Sequence, residues 1–465
     1  MWGIIVERHS EVTLARQLYQ AFRQQILQGR LQPGDTLPST RELAKELTIS
    51  RNTVYEAYEM LTAEGYIVSR QGAPTRVAEG LILETIAPVS RQPSGKKLPP
   101  TDSFPADFRT GLPDLRHFPR YRWLQLVHQA SEQLAPGQWG YTGPEGLPAL
   151  REQIAAWLLR SKGLAVEAQD IFITAGATHA LHILAELLAA EGKREIIVED
   201  PCHKGMLRVL QRNNFCIRPV RADGQGLDTA VLPKSEACAV YVTPSHQFPL
   251  GGILPAGRRA ALISFAREQD LYLIEDDYDS EFRYSGSPIA PLYALDPQRV
   301  IYVGTFSKIL FPALRIGYVI LPRPLQQHWC RLRLYTDVQN PPFEQAALAE
   351  FLSTRKLDRH LQSMRRLYGQ RRQLLLQALT DTFGNDWKAW GDDAGLHLAL
   401  EFPGKCFDQN FAYTCREQGI NITPVEDHSI VKGRHLEKLL LGYGHLEPQE
   451  IRQGITLLAK CIRNC

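Results

Sequence analysis

The sequence has no uninterrupted apolar run long enough to cross a bilayer, which excludes a helical membrane spanner. Its eight cysteines, at 202, 216, 238, 330, 406, 415, 461 and 465, include no CxxC pair. That removes the common zinc and dithiol motifs, and a chain of 465 residues builds cores that need no disulfide staples. Reduced thiols in a cytoplasmic protein are the expectation. Cys461 and Cys465 stand one helical turn apart, a spacing that leaves open a thiol switch. The opening MWGIIVERHSEV lacks a basic flank followed by a long apolar stretch, so no secretory signal is expected. Charge of one sign is missing too: the formal net charge is +3, and the first 78 residues hold nine Lys/Arg against eight Asp/Glu. A basic footprint over that region is therefore excluded. Any case for nucleic acid must rest on where single arginines sit.

What is present reads as more than one domain, because the chain is too long for one ordinary core. Residues 12–28 carry Leu14, Leu18, Phe22 and Ile26 at four-residue spacing, which predicts a helix. Gly29, Pro33 and Gly34 break it. Ser39 then caps a second helix, STRELAKEL, with Glu42 three residues on as a capping box. After the turn TIS a third helix runs from Ser50 to about Glu64, with Ser50 as its N-cap and Gly65 as its stop. YIVSRQGAPTRVA reads as two short strands around a turn.

Helix, turn, helix, hairpin is the winged helix-turn-helix plan, whose third helix enters the major groove with its N-terminal residues foremost. Here those residues are Ser50, Arg51, Asn52 and Thr53, all hydrogen-bonding types, and an arginine can grip guanine bidentately. Arg41 on the second helix and Arg70 in the wing are placed to hold phosphate. The competing reading is a polar stretch that only caps and solvates a helix; the flanking helix and hairpin favour double-stranded DNA. The run LPSTRELAKELTISRNTVYEAYEMLTAEGY resembles the GntR-type winged-helix family along its whole length. The wing departs from it, reading GAPTRVA, with Pro74 and Arg76, where the family has a glycine-rich GxGTxVA.

Residues 1–78 thus form the first expected domain, and the proline-rich polar segment 79–104 a semi-extended linker. From 105 to 465 the apolar runs IFIT, EIIVED, CAVYVTP, LYLIEDD and VIYVGT alternate with helical stretches. That alternation predicts an α/β domain with a largely parallel sheet, whose ligands gather at the carboxyl ends of strands. VIYVGTFSK delivers Lys308 just past such an end. A lone lysine there would ordinarily be a surface residue, but its neighbours argue otherwise. Another strand ends in Asp276, Asp277 and Tyr278, and TAGATHAL offers backbone N–H groups of Gly176, Ala177 and Thr178 at a helix start, where phosphate binds well. Thr305, Ser307 and Arg315 add hydroxyls and a guanidinium. A buried carboxylate asks for a positive partner such as a protonated ring nitrogen. Amine, carboxylate and phosphate cradle together are what pyridoxal 5'-phosphate (PLP) requires.

In GLPDLRHFP, VEDP, VYVTPSHQFPLG, EDDYDSEFRYSG, GTFSKILFPALRIGY and AGLHL the chain resembles the fold-type I aminotransferases. Taken with its first domain, it resembles the MocR (GabR-like) regulators. The resemblance implies an α/β large domain with a mainly parallel sheet and a smaller C-terminal α+β part. It also implies a homodimer and a Schiff base between Lys308 and PLP. Asp276 would then pair the pyridinium nitrogen and Tyr278 the ring hydroxyl. Thr305, Ser307, Arg315 and the Ala177–Thr178 backbone would hold the phosphate. Tyr141 would reach the phosphate in a neighbouring subunit. His203 stands where the family has a stacking tyrosine, and His246 is a second candidate near the ring; for both, an ordinary structural role is the alternative. The resulting expectation is a PLP-dependent regulator that senses an amine, an amino acid or PLP itself. The rival is an active aminotransferase carrying a DNA-binding domain. Such an enzyme needs a clamp for the substrate carboxylate, usually an arginine near the C-terminus. The C-terminal segment has Glu426 and His428 where it is sought first, and Arg434 nearby, which weakens the enzyme reading.

Overall fold

The computed structural model describes residues 2–70, 72–80, 104–190, 192–286, 289–391 and 394–463. The expected linker falls almost wholly outside the described residues, as does Cys465 of the spaced cysteine pair. The chain divides into two compact units, 1–100 and 101–465.

In the first unit helices α1 (Leu14–Leu27), α2 (Thr40–Leu47) and α3 (Arg51–Ala63) precede strands β1 (Ile67–Val68) and β2 (Arg76–Val77). The apolar stripe of α1 buries Leu18, Phe22 and Ile26 against Leu43, Val54 and Leu61. Each helix start is chemically specified. The Ser39 hydroxyl accepts from Glu42 N (3.2 Å) while Glu42 Oε2 accepts from Ser39 N (3.0 Å), which completes the capping box. Ser50 caps α3 by accepting from Thr53 N (3.1 Å). β1 and β2 pair antiparallel, with Ile67 opposite Val77, so the expected hairpin forms despite Pro74.

The second unit is built on an eight-stranded sheet: β3 (Ile171–Thr174), β4 (Glu195–Asp200), β5 (Cys216–Asp223), β6 (Gly226–Leu227), β7 (Ala239–Val242), β8 (Tyr272–Asp277), β9 (Val300–Thr305) and β10 (Gly317–Ile320). Their spatial order is β3-β10-β9-β8-β7-β4-β5-β6. From β9 to β5 all neighbours are parallel; β10 runs antiparallel to β9 and β3, and β6 antiparallel to β5. Strands β3, β7, β9 and β10 are buried throughout because both faces are covered, one by each of two large hydrophobic clusters. Near the sheet edge, β5 instead alternates exposed and covered residues. Parallel pairing sets Val303 opposite Asp276 and Gly304 opposite Asp277. The carboxyl ends of β8 and β9 therefore open at one edge, where ligands bind in such sheets.

A smaller sheet follows, from β11 (Lys388–Trp390), β12 (His397–Glu401), β13 (Thr423–Pro424) and β14 (Lys438–Gly442), in the order β11-β12-β14-β13. Ala106–Asp107 pairs in parallel with Ile420–Asn421, tying the start of this unit to its far end. Gly442 N donates to Phe108 O (2.9 Å), and a Cβ on Gly442 would lie within 2.1 Å of Arg109 O. That close approach needs glycine, and it carries the chain on toward Thr110 and Gly111 at the site.

Candidate functional site

At the shared edge of β8 and β9 lies a cavity of about 260 Å³. Lys308, Asp276, Tyr278, Ala177, Thr178, His203, Thr305, Ser307 and Arg315, all singled out in the sequence, come together in its lining. Lys308 Nζ donates to the Gly111 carbonyl (2.6 Å). The positive φ of 75° at Gly111 favours glycine, and a Cβ there would fall 2.6 Å from that Nζ and displace the lysine tip. Burial lowers the Lys308 pKa, and the charges of Asp279 and Asp276 oppose it only in part. The shift makes the neutral amine, the form able to attack a carbonyl, easier to reach than in a free lysine.

Asp276 Oδ2 accepts from the Tyr241 hydroxyl (2.5 Å), while its Oδ1 is buried with no partner among the described residues. The side chain opens in part onto the cavity but sits deep within it. Burial, with the Asp277 charge adding to it, pushes the carboxyl up to about 6 against the Tyr241 bond. An orphaned buried oxygen of this kind asks for a donor from a ligand. Beside it, the Tyr278 hydroxyl and His246 Nδ1 are 3.0 Å apart, and the same Nδ1 is 2.9 Å from Asp279 Oδ1. His246 is buried behind Tyr278 rather than lining the cavity. With His397 it makes a compact His–Asp–His cluster. His246 Nδ1 is engaged by two partners and His397 Nε2 faces the Pro249 carbonyl (3.1 Å), which makes the cluster a hydrogen-bond network around Tyr278.

The side of the cavity formed by Thr305, Ser307 and Arg315 is equally built. Ser307 N donates to Thr305 Oγ1 (3.2 Å), and the two hydroxyls are 3.1 Å apart. Helix Ala177–Ala189 begins behind Gly176, at φ 95°, with no side chain capping it. Its first N–H groups and dipole therefore face whatever anion the cavity takes. Arg315 adopts φ 51°, donates from Nη2 to the Ala175 carbonyl, and lies 3.1 Å from where a Gly176 Cβ would stand. His203 caps helix Lys204–Arg212, its Nδ1 accepting from Met206 N (3.3 Å). That bond leaves Nε2 to carry the proton of the neutral ring. Burial and then the Lys308 charge lower its pKa, so it presents a neutral flat face.

Some residues were placed elsewhere. Tyr141 is 89% exposed and does not line the cavity. Glu426 closes its own loop, its carboxylate accepting from Gly433 N (2.6 Å) and His435 N (3.0 Å). Arg434 is half exposed, 3.9 Å from Asp200. His428 packs on Phe248, which does line the cavity, with ring centroids 5.0 Å apart. None of these three lines the cavity itself; Arg315 is its one lining arginine among the described residues. Sequence reasoning missed Thr110, Tyr241, Asp279 and His397 as wall residues. Tyr241, Asp279 and His397 lie inside motifs it had picked out, VYVTPSHQFPLG, EDDYDSEF and AGLHL, and that was the available signal.

In the first unit Arg51 and Asn52 are exposed at the start of α3. Arg51 Nε donates to Thr40 Oγ1 (3.2 Å), which steadies the side chain across α2 and α3. Ser50 Oγ and Thr53 Oγ1 lie 2.9 Å apart and serve the cap. Arg41 and Arg70 are exposed on α2 and in the wing.

Comparison with known proteins agrees with both units. Residues 14–77 match the bacterial regulatory proteins of the gntR family, and residues 117–434 the class I and II aminotransferases. The chain is 33% identical to the "probable rhizopine catabolism regulatory protein MocR" of Rhizobium meliloti, over 98% of this chain and 95% of that one. It belongs to the MocR-type regulators. To the HTH-type pyridoxine biosynthesis transcriptional regulator PdxR of Corynebacterium glutamicum it is 35% identical over 85% of each chain. Among solved structures, Pyrococcus horikoshii kynurenine aminotransferase, in complex with PMP, superposes with a TM-score of 0.71 at 25% identity, over 78% of this chain and 92% of that one. In this MocR-type chain, then, a helix-turn-helix of regulators precedes an aminotransferase fold.

Proposed function

We propose that this protein is a cytoplasmic, homodimeric transcriptional regulator that binds PLP through Lys308 and senses an amine, an amino acid or PLP itself. The carrying observation is the buried amine of Lys308 in one cavity with the unpartnered Asp276 Oδ1, in a chain that also has a regulator's helix-turn-helix. When bound, the cofactor supplies an aldehyde that takes up amines and a ring that draws electrons from them. Asp276 Oδ1 would accept from the ring nitrogen, and the Tyr278 hydroxyl, held by His246, would serve the ring hydroxyl. Thr305, Ser307, Arg315 and the Ala177–Thr178 backbone would hold the phosphate. His203 would stack on the ring, and Tyr141, exposed in one chain, would reach the phosphate of a second subunit. A small-molecule amine at Lys308 regulates because it prefers one of two arrangements of the protein, and that preference alters affinity for DNA. Arg51 and Asn52 read base edges, while Arg41 and Arg70 hold the phosphate backbone and Ser50 and Thr53 set the pitch of the helix start.

Sensing is favoured over turnover because none of Glu426, His428 and Arg434 forms a carboxylate clamp on the cavity, and loose substrate orientation forfeits much of catalysis. The test pairs gel-shift on operator DNA, with and without PLP and candidate amines, with product formation over many turnovers. An amine-dependent shift with little product supports the sensor. Repeated turnover with DNA affinity indifferent to the amine makes the protein an aminotransferase instead.

A further inference from the structure

A second cavity, of about 320 Å³, lies in the same unit, lined by Arg160, Lys162, Arg283, Arg365, Glu281 and Asp358 among others. The segment 276–283 is the wall between the two cavities: Asp276, Tyr278 and Asp279 line the first, Ser280, Glu281 and Arg283 the second. The charges of the second are only partly matched. Lys162 pairs with Asp277 Oδ2 (2.5 Å) and Glu281 Oε1 (2.9 Å). Burial works against that ammonium, but the two carboxylates more than offset it and keep it charged. Arg160 Nε is 3.8 Å from Asp358 Oδ2. Arg365 turns Nε and Nη2 to the Glu281 backbone carbonyl, at 3.0 and 2.8 Å. Arg283 is the odd one. Its Nε and Nη1 are buried and meet no acceptor among the described residues, and Ser245 Oγ, on the same cavity, is buried and unpartnered as well.

A guanidinium cannot shed its proton, so buried N–H groups without acceptors are costly and rare. Two lining side chains with unmade hydrogen bonds, beside a surplus of positive charge among the described residues, describe a site for oxygen anions. Its volume is at the small end of those that hold metabolites. We propose that this cavity is a second ligand site, taking a small metabolite by its carboxylate or phosphate group, with Arg283 and Ser245 as the contacts and Arg160 supplying further charge. It is separate from the anion side of the first cavity, which Thr305, Ser307 and Arg315 form.

The test uses the full-length protein with Arg315→Gln, which removes the guanidinium of the first cavity, and inorganic phosphate and succinate as probes in calorimetric titration at low chloride. At least one probe should bind. Adding Arg283→Gln should weaken it by about tenfold or more, the loss of a charge-assisted contact. Adding Arg160→Gln should weaken it severalfold. Binding of phosphate alone identifies a phosphate ester as the ligand class, and of succinate alone a carboxylate. Should Arg283→Gln fail to fold by circular dichroism, Arg160→Gln, on a helix surface, decides. No binding of either probe, or an affinity unmoved by the substitutions, means the cavity holds water only and overturns the proposal.

Discussion

The start of α3 and the edge of β8 and β9 hold the two candidate sites, and they are made in opposite ways. Arg51 and Asn52 are exposed, on a helix whose shape is fixed by a neighbouring cap rather than by them. Asp276, Tyr278 and Lys308 are sunk in a cavity, and burial is the largest influence on the protonation of each. An exposed polar group costs folding almost nothing, whereas a buried carboxylate with an unmade bond opposes folding until a partner arrives. Substitutions at α3 should therefore change function alone. Those in the cavity should move function and stability together, and in opposite directions.

The largest expected effect is the loss of Lys308. Borohydride added to wild type with PLP should fix the cofactor covalently, and Lys308→Ala should take up none. Mass spectrometry reads the adduct directly. A variant that is labelled as fully as wild type removes Lys308 from the reading, whatever its effect on DNA.

Asp276→Asn sharpens the comparison next. The free-chain pKa of 3.8 rises to about 6 in the fold. Between those values the native state holds a proton that the unfolded chain has released, so unfolding free energy falls as pH rises through the window. By pH 7 the loss is at most on the order of 3 kcal/mol, two units of pKa, and less where cavity water reaches the carboxylate. Asparagine keeps an acceptor for Tyr241 and has no such charge. Cofactor-free Asp276→Asn should melt above wild type at pH 7, with the gap closing toward pH 4, yet retain PLP less well. A gap of equal size at both pH values would show that the charge is not its cause.

Much of this cavity was legible because its groups lie in short runs. GTFSK and EDDY each end a strand, and parallel pairing of adjacent strands brings their ends together without further instruction. Capping boxes and the α1 stripe are likewise local. Gly111 stood in a recognised motif, but its place at Lys308 depends on Ala106–Asp107 meeting Ile420–Asn421, more than three hundred residues away, and no periodicity records that. Tyr241 reads as one more aromatic in a buried strand until its hydroxyl is seen on Asp276. The glutamate, histidine and arginine weighed as a carboxylate clamp show the converse. Only Arg434 had the residue type for that chemistry, and it turns toward Asp200, while backbone donors of its own loop claim Glu426.

At α3, Arg51→Ala should leave stability and the cofactor spectrum unchanged. If its terminal nitrogens, not used on Thr40, grip a guanine, specific affinity falls by about 2 kcal/mol and one base position becomes permissive. A fall of equal size on random DNA would make it a phosphate contact instead. A fall accompanied by a lower melting temperature would break the contrast between the two sites.

The smallest effect is expected at Arg70, exposed in the wing. An arginine on phosphate reads no base. Its charge displaces roughly one condensed counterion from the duplex, and that release is its contribution to binding. Arg70→Ala should therefore weaken operator and random DNA alike. It should also lower the slope of log affinity against log salt by about 1, with the preferred sequence unaltered. Fluorescence anisotropy on both DNAs across a salt series measures slope and ratio in one experiment. The wing is where this chain leaves the GntR pattern, with Pro74 and Arg76, and one nitrogen of Arg76 is engaged, its Nη1 donating to Gly34 O (2.8 Å). Arg70 is the wing residue proposed to hold phosphate. An unchanged salt slope would mean that the hairpin does not touch DNA and that α3 and Arg41 carry the interface without it.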